Sequence, residues 1–129
     1  MRVWLFVAIG LLVAPAARAD LFDQNRHVKT LAGQEVRIGS HAKWDRRCQP
    51  STMPTVFVTQ PPAYGRISTR AATKIAKGSV GGVVCDGREF PAIAVYYAPK
   101  PGFRGVDVVR YTADYGTSQT ENTVTIDVQ

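Results

Sequence analysis

The chain has 129 residues, a formal net charge of +6, two cysteines and two histidines. This length suits one domain with a modest core. Neither His27 nor His41 lies in a zinc motif, a nucleophile elbow or the spacing of a catalytic triad. The pattern therefore disfavours an enzyme and predicts neither a metal site nor a cofactor.

The first 19 residues have the pattern of a secretory signal peptide. One early cation, Arg2, precedes an apolar run at residues 3–13, and a small-x-small site follows at residues 17–19. The apolar run is too short to serve as a permanent membrane span. We therefore expect a periplasmic or secreted protein whose mature domain starts at Asp20 and contains no transmembrane segment.

The first part of the mature chain combines a weak strand pattern with an aperiodic loop. Val28, Leu31, Val36 and Ile38 indicate one or two short strands, of which the second points Val36 and Ile38 inward. Residues 40–53 show no period and are typical of a long loop. Long loops on a β-scaffold often carry binding sites, so this loop is a functional candidate.

The middle of the chain predicts short strands separated by turns. Residues 55–59 form a β-rich run that must end at residues 61–62, because proline cannot donate to a strand ladder. Residues 66–69 predict another strand. Residues 70–77 fit either a helical turn or a polar strand, since their alanines favour a helix and their β-branched residues do not. The remaining elements are a strand at residues 83–85 and a turn at residues 86–87.

The last third alternates apolar and polar residues with the period of a strand. The apolar positions are Ile93, Val95 and Tyr97, then Val109, Tyr111 and Ala113, and finally Val124, Ile126 and Val128. Prolines and glycines at residues 99–105 interrupt the first two runs and predict a strand, a tight turn and a strand, that is, a β-arch. About seven strands result, and they predict an all-β antiparallel sandwich.

Eight positions of the arch form a motif: Tyr97, Pro99, Pro101, Gly102, Phe103, Gly105, Asp107 and Tyr111. The motif resembles the signature of bacterial cadherin-like and immunoglobulin-like extracellular domains, and residues 61–67 and 123–128 extend the resemblance. It implies that Phe103 plugs the open end of the sandwich and that both glycines take positive φ. It also implies that Asp107 accepts hydrogen bonds from loop amides. These roles are structural, so the resemblance implies a fold rather than an activity.

The same resemblance raises the question of calcium. Cadherin-type sites use clustered acidic residues between successive domains, whereas Asp107, Asp114 and Asp127 are isolated in this sequence. We therefore interpret Asp107 as a loop cap and predict no metal site.

Both cysteines, Cys48 and Cys85, fall in the part of the chain expected to be exported. An even count in an exported protein predicts a disulfide, and the wide spacing is unlike the Cys-x-x-Cys pair of oxidoreductases. Closing a loop of this length removes roughly 4 kcal/mol of freedom from the denatured chain. We expect a structural staple.

Positive charge is concentrated in the middle of the sequence. Residues 43–88 hold eight basic and two acidic residues, while the rest of the mature chain has a net charge of −2. Together with an aromatic residue in the long loop, this predicts an anion-binding patch. Its proposed members are Lys43, Trp44, Arg46, Arg47, Arg66, Arg70 and Arg88. The alternative is that Trp44 packs over the disulfide and that the charged residues are simply solvated.

Two functional classes fit these observations. The first is a non-catalytic exported module that binds an anionic envelope polymer or protein; export argues against nucleic acid as the partner. The second is a structural accessory subunit of a larger envelope or secreted assembly, attached through an exposed strand edge. Salt-sensitive binding to an isolated polymer would indicate the first, and a fixed protein companion the second.

Overall fold

The computed structural model describes residues 20–80 and 82–129, so the predicted signal peptide lies outside the described residues. The described part contains nine strands and no helix capable of crossing a bilayer. In chain order the strands are β1 (Asp20–Thr30), β2 (Val36–His41), β3 (Thr55–Gln60), β4 (Gly65–Ile75), β5 (Ser79–Val80), β6 (Val83–Val84), β7 (Glu89–Pro99), β8 (Gly105–Asp114) and β9 (Ser118–Val128).

Seven of the strands form two packed sheets. The larger sheet has the order β1-β9-β8-β3, the smaller sheet has the order β2-β7-β4, and β5 pairs with β6 in a separate small hairpin. This confirms the all-β sandwich. Every pair is antiparallel except β1 with β9, which run parallel over eleven residues.

The alternating apolar positions meet between the two sheets. Side chains from each of the three predicted runs are almost completely excluded from solvent, and the partly buried Val36 packs against them. The main core consists of Ile38, Val95, Tyr97, Val109, Tyr111, Val124, Ile126 and Val128. Because apolar burial is the chief favourable term in folding, this layer is the main stabilising element of the domain.

Residues 100–104 connect the two sheets. β7 belongs to the smaller sheet and β8 to the larger, so the connection is an arch and not a hairpin. Gly102 and Gly105 have φ values of 80° and 135°, a region that side-chain-bearing residues seldom occupy. The amide of Phe103 donates to the carbonyl of Lys100 at 3.0 Å and closes the turn.

A bulge in β2 brings the backbone close to the core. The pairing of β2 with β7 shifts between Arg37 and Gly39, and a side chain at position 39 would overlap the Tyr111 hydroxyl. That hydroxyl shares a 2.7 Å hydrogen bond with Nε2 of His41. Burial lowers the pKa of His41 to about 4, assisted by the nearby charges of Arg26 and Lys74. The imidazole is therefore neutral at neutral pH.

Two edge strands are longer than the sequence pattern indicated. β1 covers residues 20–30, although its first half lacks apolar alternation. β4 continues to Ile75 in unbroken register with β7, which resolves most of residues 70–77 as a strand. In both cases backbone hydrogen bonds to a neighbouring strand stabilise a segment whose side chains are mostly exposed.

The predicted disulfide is confirmed. Cys48 and Cys85 are joined, with 5.6 Å between their Cα atoms. Together with Ala76 and Phe90 they form a second, smaller core, against which Ala42 and Trp44 pack; Ala42 lies just beyond the end of β2. The bond therefore anchors the loop after β2 to the segment before β7.

Candidate binding surface

The loop after β2 is a compact hydrogen-bonded turn organised by one aspartate. Oδ1 of Asp45 accepts from the amides of Arg47 and Gln49 at 2.8 and 3.0 Å. The Gln49 bond is the largest cause of a lowered pKa at the Asp45 carboxyl. The backbone of Lys43 also accepts from the amide of Ser51 at 2.9 Å. These bonds order the loop without regular secondary structure.

Two predicted members of the patch contact the domain itself. The Trp44 ring stacks on Phe90 with a centroid distance of 4.9 Å. The Lys43 ammonium donates to the Ser118 hydroxyl and lies 4.5 Å from the centre of the Tyr115 ring. Both side chains are partly buried. The structure thus agrees with the alternative interpretation of Trp44 as a packing residue and argues against an aromatic anchor for a ligand.

The remaining predicted cations fall into two separate groups. Arg46, Arg47 and Arg88 are exposed near the disulfide end of the domain. Arg66 is paired with Ala98 of β7. Trp44 of the loop stacks on Phe90, which lies eight residues before Ala98 on the same strand. Eight residues of a strand span about 26 Å. The sequence-predicted set therefore does not form one patch.

The second group lies on the outer face of the smaller sheet. Directly paired residues share one face of an antiparallel sheet. Ile67 pairs with Tyr97 and packs into the core, so its neighbours along β4 alternate onto the opposite face. The outward residues are Arg66, Ser68, Arg70, Ala72 and Lys74 of β4, Ala92, Ala94, Tyr96 and Ala98 of β7, and Arg37 and Ser40 of β2. Three β4 cations thus form one row, with Arg37 on the other side of β7.

Two of these cations extend across β7. The guanidinium of Arg70 lies 4.1 Å from the centre of the Tyr96 ring and forms a 2.5 Å ion pair with Glu35. The ammonium of Lys74 donates to the carbonyl of Ser40 at 3.1 Å. Burial, followed by the charge of Arg26, lowers the pKa of Lys74. The small alanine side chains of β7 leave room for both crossings.

Charge is separated between the two sheets. The strands of the smaller sheet contain four basic residues and one acidic residue, a net charge of +3. The strands of the larger sheet contain three basic and six acidic residues, a net charge of −3. The sandwich therefore has one positive side, which favours contact with an anionic partner through that side.

The arch motif occupies the end of the sandwich opposite the disulfide. The buried carboxylate of Asp107 accepts from the amides of Ala63 and Tyr64 at 3.0 and 2.9 Å and from the Tyr97 hydroxyl at 2.8 Å. Burial and this bond raise the pKa of Tyr97 well above its usual value. Phe103 is only partly buried and stacks on Tyr64 at 4.4 Å. These contacts tie the β3–β4 turn to the arch.

Sequence reasoning missed Arg37, Lys74 and Tyr96 as members of the basic face. Lys74 contributed to the charge count, but residues 70–77 had no assigned structure. Interpreted as a continuous strand, residues 66–74 would have placed cations at positions 66, 70 and 74 on a single face. That spacing was the available signal. The contribution of Arg37 depends on the pairing of β2 with β7, which no local pattern reveals.

Comparison with known proteins does not identify a family. No protein-family model and no curated protein match the chain. A solved structure described as the solution structure of amebosin aligns with a TM-score of 0.47 and 9% sequence identity, over 87% of this chain and 100% of that chain. Similarity at this level carries no argument about function.

Proposed function

We propose that the protein is an exported, non-catalytic binding domain that contacts an anionic envelope polymer through the outer face of its smaller sheet. The observation that carries the proposal is the row of Arg66, Arg70 and Lys74 along β4, on the positive side of a charge-separated sandwich. Cations four residues apart on a strand repeat about every 13 Å. An extended polymer with repeating negative charges can contact such a row at several points.

The face is a better candidate than the loop for a physical reason. Trp44 and Lys43 are already engaged within the domain, so the loop retains only solvated charges at Arg46 and Arg47. On the face, Arg66 is exposed, and the Arg70 side chain stays 52% exposed although Tyr96 and Glu35 hold it, so both guanidiniums remain accessible to a ligand. The disulfide supports export, because such bonds persist in oxidising compartments.

The resemblance of the arch to cadherin-like and immunoglobulin-like domains is retained as part of the proposal. It is supported by the Asp107 contacts with the β3–β4 turn and by the positive φ of both arch glycines. It bears on the fold and adds nothing about the ligand.

Matched double variants test the proposed face. Arg66→Gln with Arg70→Gln removes two charges from the face, and Arg46→Gln with Arg47→Gln removes two from the loop. On columns of immobilised polyphosphate and polygalacturonate, we expect the face variant to bind about tenfold more weakly, a loss of about 1.4 kcal/mol, with a reduced salt dependence. We expect the loop variant to bind within about threefold of the wild type.

If the loop variant bound more weakly than the face variant, binding would belong to the loop, and the proposed role of the face would be refuted. Equal retention of both variants and the wild type would also refute it. Failure of the wild type to bind either polymer at low salt would refute polymer binding altogether. Thermal melting of each variant checks that folding is retained.

A second candidate function rests on the free edge of β4. Within residues 20–80 and 82–129, this eleven-residue strand has a partner on one side only, and its register with β7 contains no bulge. Such an edge can accept a strand from another protein. Antiparallel pairing of two β4 edges centred on Arg70 would place Arg66 opposite Lys74, so like charges oppose self-association. An accessory subunit would therefore be recovered with a different protein, in fixed ratio and resistant to salt, when purified from its envelope fraction.

A further inference from the structure

A cluster of cations that overlaps the basic face lies where β1, at the edge of the larger sheet, meets β2, at the edge of the smaller sheet. Arg26 of β1, Arg37 of β2 and Lys74 of β4 line a pocket of about 330 Å³ together with the backbone of residues 38–40. We call it the junction pocket. Arg26 is paired with the core residue Val124 of β9. Its side chain is therefore on the core side of β1 and reaches the pocket from the edge of the larger sheet.

The cations of the junction pocket are held by neutral groups. Nη1 of Arg26 donates to the carbonyl of Ile38 at 3.3 Å, and the Lys74 ammonium donates to the carbonyl of Ser40 at 3.1 Å. In the described part of the chain the single ion pair joins Arg70 to Glu35, so no carboxylate neutralises these three charges. The charge of Arg26 is close enough to contribute to the lowered pKa of Lys74. The pocket thus concentrates uncompensated positive charge.

A further polar group in the pocket wall lacks a partner. Oγ of Ser40 is buried and forms no hydrogen bond to the described residues. A buried hydroxyl without a partner carries a desolvation cost, and a ligand oxygen could offset it only after the Ser40 side chain rotates toward the pocket. The adjacent backbone is fixed from the core side, because position 39 has no side chain and abuts the Tyr111 hydroxyl. Three positive charges therefore line one small volume beside a fixed backbone.

We propose that the junction pocket binds a phosphate-type oxyanion, and that this group belongs to the polymer contacted by the basic face, so the inference rests on the proposed function. Two guanidiniums and one ammonium match a dianion with several acceptor oxygens better than a single carboxylate. The pocket thereby selects phosphate-bearing polymers over carboxylate-bearing ones.

Titration with inorganic phosphate tests the pocket directly. We expect amide NMR shifts at residues 38–40 on addition of phosphate to the purified protein, and about tenfold weaker binding of acetate or glucuronate. Bound phosphate should also raise the titration midpoint of His41, because it offsets the neighbouring positive charges.

Each pocket variant has a control on the same part of the chain. Arg26→Gln is compared with Lys29→Gln, and Lys74→Gln with Lys77→Gln, since the control residues are exposed cations outside the pocket. We expect each pocket variant to weaken phosphate binding about tenfold and each control to change it less than about twofold. Lys74→Arg, which keeps the charge, should retain most of the binding, and melting curves confirm that the variants fold.

The outcomes separate the pocket from the proposed function. Absence of shifts at residues 38–40, equal weakening by controls and pocket variants, or equal binding of phosphate and acetate would each overturn the phosphate site. Phosphate binding in the pocket without polymer retention by the wild type would leave the pocket standing and refute the proposed function. Full polyphosphate retention by the pocket variants would refute the link between the two.

Discussion

The two ends of the sandwich are closed by different chemistry. At the arch end, the buried Asp107 carboxylate accepts hydrogen bonds from the β3–β4 turn and from the Tyr97 hydroxyl. At the opposite end, the Cys48–Cys85 bond fixes the loop after β2, and Trp44 covers Phe90. One end is thus held by a buried charge and its donors, and the other by a covalent bond and apolar stacking.

The difference shows how irregular segments become ordered in a small β-domain. Neither the arch nor the long loop is stabilised by a β-ladder of its own. The arch is held by one aspartate and the loop by one disulfide, and each contacts a segment distant in sequence. The carboxylate closure depends on all the hydrogen bonds to Asp107, because a buried donor left without an acceptor lowers the stability of the fold. A disulfide acts mainly by restricting the denatured chain. The two ends should therefore respond separately to redox conditions, mutation and pH.

The largest expected effect comes from removing the covalent closure. The two cysteines are 37 residues apart in sequence, so Cys48→Ala with Cys85→Ala should lower the free energy of unfolding by about 4 kcal/mol. Urea titration of the oxidised wild type, the reduced wild type and the double variant measures this loss. A loss below about 1 kcal/mol would mean that packing of the second core alone closes that end.

Asp107→Ala should destabilise the arch end by about 3 kcal/mol, because it leaves buried donors of the turn and of Tyr97 without a partner. Asp107→Asn keeps an acceptor and should cost less. Asp127→Ala on β9 provides the matched control, since that side chain is partly exposed. The loss should add to that of the cysteine variant, as expected for distant sites. Equal stability of the Asp107 and Asp127 variants would show that the Asp107 carboxylate does not stabilise the arch end.

Acid should lower the stability of the domain through His41, which is bonded to Tyr111 of the main core. The pKa of His41 is lowered to about 4, so the unfolded chain binds a proton below pH 6.5 that the folded chain refuses. Stability should therefore fall as the pH decreases from about 6.5 to 4, by up to about 3 kcal/mol. The slope of unfolding free energy against pH measures it. His41→Asn should flatten that slope; a slope in this variant equal to that of the wild type would exclude His41 as the cause.

Phe103→Ala should have the smallest effect, about 1.5 kcal/mol. The ring is partly buried and packs mainly on Tyr64, so less apolar surface is lost than for a fully buried ring. The arch end then depends more on its carboxylate than on its aromatic plug. A loss in urea titration larger than that of Asp107→Ala would reverse this order.

The sequence predicts the core well and the edges poorly. Alternation at residues 93–97, 109–113 and 124–128 identified the buried strands, because one face of each packs into the interior. The first half of β1 gave no such signal, since Leu21 and Phe22 are adjacent and both exposed, and its stability comes from backbone pairing with β9. Residues 70–75 were undecided because local propensity is balanced there and tertiary pairing decides.

The candidate site was partly predictable. Excess positive charge in the middle of the chain was visible, and the disulfide followed from the cysteine count. The position of Trp44 on Phe90 was not, because adjacent residues in a loop give no information about which way each side chain turns. Likewise, the meeting of Arg26, Arg37 and Lys74 brings two consecutive strands, β1 and β2, together with β4, which is distant in sequence.

The parallel pairing of β1 with β9 has a consequence for the order of folding. β9 follows both β1 and β8 in the chain, yet it lies between them in the larger sheet. Neither neighbour can complete its ladder until β9 is available, and closing β1 onto β9 spans nearly the whole domain. Such long-range closure slows folding, to a range of roughly milliseconds to seconds for sandwich domains. We therefore expect the pairing of β1 with β9 to be among the late steps of folding.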